Sequence, residues 1–151
     1  RAEHFADGDK IAVILGDNIF ENSIKNYVER FKKQNCGAKV LIKKVSNTER
    51  FGVVTFKGGK VIAIEEKPKK PKSKYIVTGI YMYDAQVFDF IRKHKKTRRG
   101  EYEITDINNM YLGKGMLTYD ILKGFWTDCG AFDSLLNANI LIGKKQLNLG
   151  N

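Results

Sequence analysis

Apolar residues along the 151-residue chain fall alternately into short continuous runs and helical periods. Ile11-Ala12-Val13-Ile14-Leu15 is an unbroken apolar run between Asp7-Gly8-Asp9-Lys10 and Gly16-Asp17-Asn18. Its length and branched side chains predict a strand buried on both faces, as in a parallel sheet. Ile24, Tyr27, Val28 and Phe31 follow at i, i+3, i+4 and i+7, one side of a helix. Gly37 is placed to end that helix in a left-handed cap, and Val40-Leu41-Ile42 restarts a strand. Strand, helix, strand is the βαβ order and argues for an α/β architecture.

The middle of the chain has a different period. Val53-Val54-Thr55-Phe56 and Val61-Ile62-Ala63-Ile64 flank Lys57-Gly58-Gly59-Lys60, and Gly-Gly supplies the positive φ angles of a two-residue hairpin turn. Tyr75 to Tyr83 reads as a further strand. Asp84 is positioned to cap a helix whose Val87, Phe88 and Ile91 face the core. Ile104, Ile107 and Tyr111 mark another helix, stopped by Gly113-Lys114-Gly115, and Met116 to Leu122 a short strand. Phe132, Leu135, Leu136 and Ile140 line a last helix. No internal repeat or dividing linker is visible, so one domain over 1–151 is expected.

Composition narrows the function classes. With 42% hydrophobic and 29% charged residues, wholesale disorder is excluded. No apolar run approaches the roughly 18 residues of a membrane span, and Arg1-Ala2-Glu3-His4 is not a signal peptide. The absence of an initiating methionine raises the expectation that Arg1 is not the natural start. Cys36 and Cys129 stand far apart, which disfavours a disulfide scaffold and suits a reducing cytoplasm, and both are expected to be packed and unreactive. The net charge of +10 suits either a nucleic-acid binder or an enzyme of phosphorylated small molecules. Arg92 to Arg99 is the densest basic run, but the neighbouring Phe88 and Phe90 follow a helical period rather than forming a stacking platform. The run therefore reads as a solvated helix end, with Arg99, beside Gly100, the member best placed to point inward.

Three local patterns carry candidate chemistry. Asp17 and Asn18 sit past the end of the first strand, where open α/β sheets bind ligands; a cation-holding Asp17 and a plain helix cap are both open readings. In Glu65-Glu66-Lys67-Pro68, alternation sends the two carboxylates to opposite faces, so one enters a cleft. A lysine beside that carboxylate suits a phosphosugar, the ammonium taking phosphate and the carboxylate taking hydroxyls. Lys69, Lys70, Lys72 and Lys74 read as an exposed loop. Trp126-Thr127-Asp128 repeats the context of Asp17, and two carboxylates at two strand ends can share one Mg²⁺.

The ordered set Leu15-Gly16-Asp17-Asn18-Ile19-Phe20, Arg50-Phe51-Gly52-Val53-Val54, Glu65-Glu66-Lys67-Pro68, Tyr75 to Tyr81, Arg99-Gly100-Glu101-Tyr102-Glu103-Ile104-Thr105-Asp106 and Trp126-Thr127-Asp128 resembles the glucose-1-phosphate thymidylyltransferase family of sugar nucleotidyltransferases. The resemblance implies a Rossmann-like nucleotidyltransferase sheet, mainly parallel with an antiparallel hairpin insertion. It implies transfer from dTTP to glucose 1-phosphate, giving dTDP-glucose and pyrophosphate. Residue by residue, it implies Asp17 and Asp128 on Mg²⁺, Glu66 on glucose hydroxyls, and Lys67 and Arg99 at phosphates. Asn18, Gly52, Val77, Thr78, Gly79, Tyr81 and Trp126 are implied to line the substrate pocket. The partners implied are a sugar 1-phosphate and a nucleoside triphosphate, with homo-oligomerisation expected and neither nucleic acid nor membrane. The family's Gly-x-Gly-Thr-Arg-Leu-x-Pro signature does not occur in these 151 residues. The N-terminal nucleotide-binding part, roughly a third of an ordinary domain, is thus expected to be missing and the chain alone to be inactive. The alternative is a non-catalytic sugar-phosphate-binding or regulatory relative.

Overall fold

Strand β6 (Tyr75–Tyr83) is the axis of the fold. The computed structural model describes residues 2–94 and 103–148, with side chains to residue 144. Period-2 alternation divides the side chains of β6 between two cores. Ile76, Ile80 and Met82 join Tyr27 and Phe31 of helix α2 (Lys25–Lys32) on one face. Val77, Tyr81 and Tyr83 face Val87 and Phe90 of α3 (Gln86–Lys93) and Ile107 and Tyr111 of α4 (Ile104–Gly113) on the other. Each fully buried Ile or Met here contributes about 1.5–3 kcal/mol, so truncating Ile80 to Ala would cost about 2–5 kcal/mol.

β3 (Ala38–Lys44) lies antiparallel to β6 along one edge, and β7 (Leu117–Ile121) continues outward parallel to β3. Two strands share the other edge of β6. β1 (Ile11–Ile14) pairs with residues 80–83, whereas β4 (Gly52–Lys57) meets β6 at Val53↔Ile76. β4 forms the expected hairpin with β5 (Lys60–Glu66), its turn glycines at φ +57° and +74°. A separate antiparallel ribbon joins β2 (Asn18–Phe20) to β8 (Trp126–Asp128). Helix α1 (Ala2–Ala6) opens the described chain and α5 (Phe132–Asn148) closes it. A short contact with Lys10 Nζ on the carbonyls of Lys32 and Gln34 completes the C-terminal end of α2.

The α/β class and hairpin agree with expectation, while several local readings are corrected. β1, β3, β4 and β7 run in one direction, but β6 is inserted against them, so parallel contact occurs at β3–β7 and the neighbouring ladders are antiparallel. β1 is not buried on both faces: it alternates, and Ile14 and Leu15 are each 45% exposed. Gly37 has the anticipated positive φ, yet it directly precedes β3 instead of capping α2; a side chain there would collide with the Met116 carbonyl. Asp84 accepts from the Gln86 amide and also from Gly37 N and Tyr111 Oη, tying α3 to α4 and β3. Ile91 is exposed, and Phe90 takes the core place. On α5, Phe132 is 92% and Leu136 59% exposed, and Ala138 is the buried residue of that helix's described side chains. Most of its apolar face is exposed among the described residues. Cys36 is exposed and Cys129 half-buried, both free, so neither is fully packed. The stretch 95–102, which carries Arg99, lies outside the described residues.

Candidate functional site

The site opens where β1 and β4 part company along β6. Between the partners of those two strands lie Val77, Thr78 and Gly79. The register against β3 passes from Val40↔Tyr81 to Ile42↔Val77, so β6 carries two extra residues in this stretch. Such bulges re-aim backbone groups beside binding sites. Here the Gly79 carbonyl accepts the Leu15 amide at 2.9 Å, and its N–H donates to Asn18 Oδ1 at 2.9 Å. A cavity of about 180 Å³ occupies the fork.

One wall comes from the β4–β5 hairpin. Gly52 pairs with Glu66 across the ladder, and the Glu66 side chain enters the cavity while Glu65 turns outward to Lys72 at 2.7 Å. Glu66 Oε2 accepts the Thr105 hydroxyl from the first turn of α4 at 2.5 Å. A Cβ on residue 52 would lie 3.1 Å from Thr105 Oγ1 and 3.3 Å from Glu66 Oε2, so glycine admits both groups. Lys67 follows with a left-handed backbone, φ +44°, held by its N–H on the Phe51 carbonyl at 3.0 Å. This conformation costs a side-chain-bearing residue about 1 kcal/mol, and it turns Lys67 toward the cavity, with Nζ 3.6 Å from Glu66 Oε1.

The opposite wall is the β2–β8 ribbon, in which Asn18 lies across from Asp128. Neither Asp17 nor Asn18 caps a helix, because β2 follows and α2 begins at Lys25. The Asn18 carboxamide is nearly saturated. Oδ1 accepts from Gly79 N and from Trp126 Nε1 at 2.8 Å, and Nδ2 donates to Asp17 Oδ1 at 2.9 Å. Trp126 also packs edge-on to Phe51, ring centroids 5.6 Å apart. The two aspartates meet over Gly130: a Cβ there would lie 2.9 Å from Asp128 Oδ1, 3.5 Å from Arg50 Nη2 and 3.7 Å from Asp17 Oδ2. Two carboxylates that both approach the same glycine suit a hard cation that keeps water and ligand oxygens for its other positions. Among the described residues no cluster of three or more His, Cys, Asp or Glu forms a complete cage.

The electrostatics follow from burial and these carboxylates. Burial, then the charges of Glu66 and Asp17, push the Tyr81 phenol well above its ordinary value. Desolvation, followed by Asp128 and Asp17, raises the Cys129 thiol, so it remains protonated and a poor nucleophile.

Lys67, Glu66, Gly52, Asn18, Val77, Gly79, Tyr81, Trp126 and Asp128 all line this cavity, and Asp17 stands beside it through Asn18. Thr78 is not brought in; it is fully buried and its hydroxyl donates to the Leu41 carbonyl at 2.8 Å on the β3 side. Sequence reasoning assigned no role to Leu15, Arg50, Phe51, Ile104 or Thr105, which also line the cavity. The adjacency of Arg50 and Phe51 to Gly52, and of Ile104 and Thr105 to the α4 start, was visible, but the convergence on Glu66 and Asp128 is tertiary. A larger groove of about 630 Å³ between α2 and β7 contains none of the expected residues, and its Arg30 and Asp120 are paired at 3.0 Å.

Residues 1–145 match the nucleotidyl transferase family. The chain is 43% identical over 153 residues to a glucose-1-phosphate thymidylyltransferase of Mycolicibacterium smegmatis, covering 99% of this chain and 52% of that protein. It is 44% identical over 140 residues to the enzyme of that name from Neisseria meningitidis, covering 90% and 49%. The chain thus spans about half the length of these relatives. A Bacillus anthracis chain assigned as a glucose-1-phosphate thymidylyltransferase and crystallised with sucrose superposes with a TM-score of 0.88 at 55% identity, covering 93% of this chain and 57% of that one. Apo UDP-glucose pyrophosphorylase shares the fold, with a TM-score of 0.84 at 23% identity over 96% of this chain and 58% of its own.

Proposed function

Since the chain belongs to the nucleotidyl transferase family, we propose that its fork cavity binds glucose 1-phosphate for nucleotidyl transfer from dTTP, with dTDP-glucose and pyrophosphate as products. The observation that supports this most directly is the meeting of Glu66, Lys67 and Asp128 in one cavity of about 180 Å³, with Asp17 at its side. That volume suits a hexose ring, with cationic groups at the mouth for its phosphate.

In the proposed reaction an oxygen of the sugar phosphate attacks the α-phosphorus of dTTP. A new P–O bond forms, the bond to the β-phosphate breaks, and pyrophosphate leaves with the electron pair. No covalent intermediate with the protein is needed, so the protein's contribution is positioning and charge neutralisation. Glu66, oriented by Thr105, accepts sugar hydroxyls. Lys67 and Arg50 offset phosphate charge, and Arg99 is assigned the same task by family resemblance. Val77 and Gly79 present backbone at the bulge. Asp17 and Asp128 would hold Mg²⁺, which supplies charge neutralisation at the phosphates when bound. The free cysteines accord with a cytoplasmic setting, and the exposed apolar face of α5 accords with homo-oligomerisation. Among the described residues no helix is long and apolar enough to cross a membrane.

Titrating the ¹⁵N-labelled chain with glucose 1-phosphate and Mg²⁺ tests this reading. Saturable shifts at the Asn18, Gly52 and Gly79 amides are expected, and their absence at millimolar ligand defeats it. Pyrophosphate release from dTTP is not expected from this chain alone, and turnover would show that these residues suffice.

A further inference from the structure

We infer that Arg50 is the counter-ion of the Asp17–Asp128 pair, a guanidinium that competes with the divalent cation for Asp128 and so sets how tightly that cation is held. The inference rests on the proposal that the two aspartates hold such a cation. A Cβ on Gly130 would lie 2.9 Å from Asp128 Oδ1, 3.5 Å from Arg50 Nη2 and 3.7 Å from Asp17 Oδ2, so the guanidinium reaches the same small volume as both carboxylates. Nη2 stands 3.9 Å from Asp128 Oδ1, and neither aspartate has another ion-pair partner among the described residues. Each carboxylate is also held by a neutral donor. The Gly130 amide donates to Asp128 Oδ1 at 2.8 Å, and Asn18 Nδ2 donates to Asp17 Oδ1 at 2.9 Å. Those anchors keep both carboxylates in place when the guanidinium leaves.

Charge and exposure suit Arg50 to exchange rather than to a fixed bridge. Its side chain is 52% exposed and its contact lies at the long limit of an ion pair, so the tie to Asp128 is weak. A guanidinium has donors only and cannot ligate a cation; it and a divalent ion repel each other and contend for the same oxygens. Two carboxylates beside one guanidinium carry net negative charge. A divalent cation reverses that sign and frees Arg50 for an anion. Arg50 lines the fork cavity together with Lys67, so the anion it meets there is the phosphate proposed above. Cation and phosphate are thereby coupled through Arg50, each tightening the other by the same factor. A merely structural ion pair has the opposite signature: its removal would loosen Asp128 and weaken cation binding.

The test uses Mn²⁺ as the probe, a divalent ion that favours carboxylate and water oxygens; its free fraction is read by electron paramagnetic resonance, with thermal unfolding alongside. At low ionic strength Arg50→Gln should bind Mn²⁺ about tenfold more tightly than wild type, because a divalent ion doubles the Coulomb energy of a unit pair at such a distance. Arg50→Lys, which keeps the charge, should stay within about threefold of wild type. The gain should shrink at about 1 M salt, where the screening length is about 3 Å, and be lost when Asp128→Asn is added. An Arg50→Gln affinity within about twofold of wild type, or weaker, overturns the inference and leaves the role of the aspartates standing. Should Arg50→Gln not fold, Arg50→Met, which keeps the apolar stem, replaces it under the same criteria. Absence of Mn²⁺ binding from both wild type and Arg50→Gln at millimolar ion would instead defeat the cation reading of Asp17 and Asp128, and the inference with it.

Discussion

Replacing Gly79 by alanine should remove the support of the whole β2–β8 wall. The new Cβ would lie 2.7 Å from Asn18 Cγ and 2.8 Å from Oδ1, with Nδ2 nearer still, so the Asn18 side chain must leave its place. Backbone conformation is not the obstacle, because Gly79 does not have a left-handed φ. Three hydrogen bonds depend on that carboxamide: Gly79 N and Trp126 Nε1 to Oδ1, and Nδ2 to Asp17 Oδ1. Each contributes about 1 kcal/mol net, and each buried N–H left without an acceptor costs about 1–3 kcal/mol. A total of about 3–5 kcal/mol is a large part of the roughly 5–15 kcal/mol that holds a domain folded. At a typical urea m-value of about 2 kcal/mol/M, the unfolding midpoint should drop by about 2 M. Gly113→Ala is the control. No heavy atom lies within 4 Å of its Cβ, and alanine in that helix should raise stability by about 0.5–1 kcal/mol. The single tryptophan offers a second readout, since Trp126 loses its acceptor and its emission should shift to the red. A Gly79→Ala midpoint equal to wild type would refute the packing argument.

Asp17→Asn and Asp128→Asn should each abolish the Mg²⁺ dependence of glucose 1-phosphate binding without large loss of stability; an unchanged dependence, read by calorimetry with and without Mg²⁺, would remove both residues from the cation. Lys67→Gly relieves a left-handed backbone that costs lysine about 1 kcal/mol, so its urea midpoint should equal or exceed wild type while sugar-phosphate affinity falls at least tenfold. A clearly destabilised Lys67→Gly would contradict the strain. Burial raises the folded-state pKa of Tyr81, Tyr83 and Tyr111 above the unfolded value near 10. Stability from these groups is therefore complete below pH 10 and lost above it, at about 1.4 kcal/mol per pH unit for each phenol. Urea midpoints at pH 9, 10 and 11 should fall steeply, Tyr83→Phe should flatten the fall by about a third, and a flat wild-type profile would count against phenol burial.

Much of the architecture was legible because its causes are local. Two adjacent glycines dictated the hairpin turn, alternation separated Glu66 from Glu65, and periodicity located α2, α3 and α4. Asp17 and Asp128 were legible as strand-end carboxylates. Where the reading failed, the missing information lay in a neighbour. The apolar positions of α5 are plain in the sequence, but whether Phe132 and Leu136 are covered depends on what packs there. β1 reads as doubly buried because branched residues look alike at an edge and in a centre. Gly37 was recognised as needing positive φ, while the Met116 carbonyl that enforces it comes from far along the chain.

The sequence by itself determined which segments extend or coil and which residues bring charge and hydroxyls near strand ends, since φ/ψ preference and side-chain period act over a few residues. Only the tertiary structure decided that β6 runs against its neighbours, that two strands share one of its edges, and that the resulting fork is a cavity. It also decided that Thr78 faces away, that Arg50 and Thr105 reach Asp128 and Glu66, and that Asn18 is held by Gly79 and Trp126 rather than by a helix. These are contacts between residues far apart in the chain, selected by the joint burial of two sheet faces, and no local propensity encodes them.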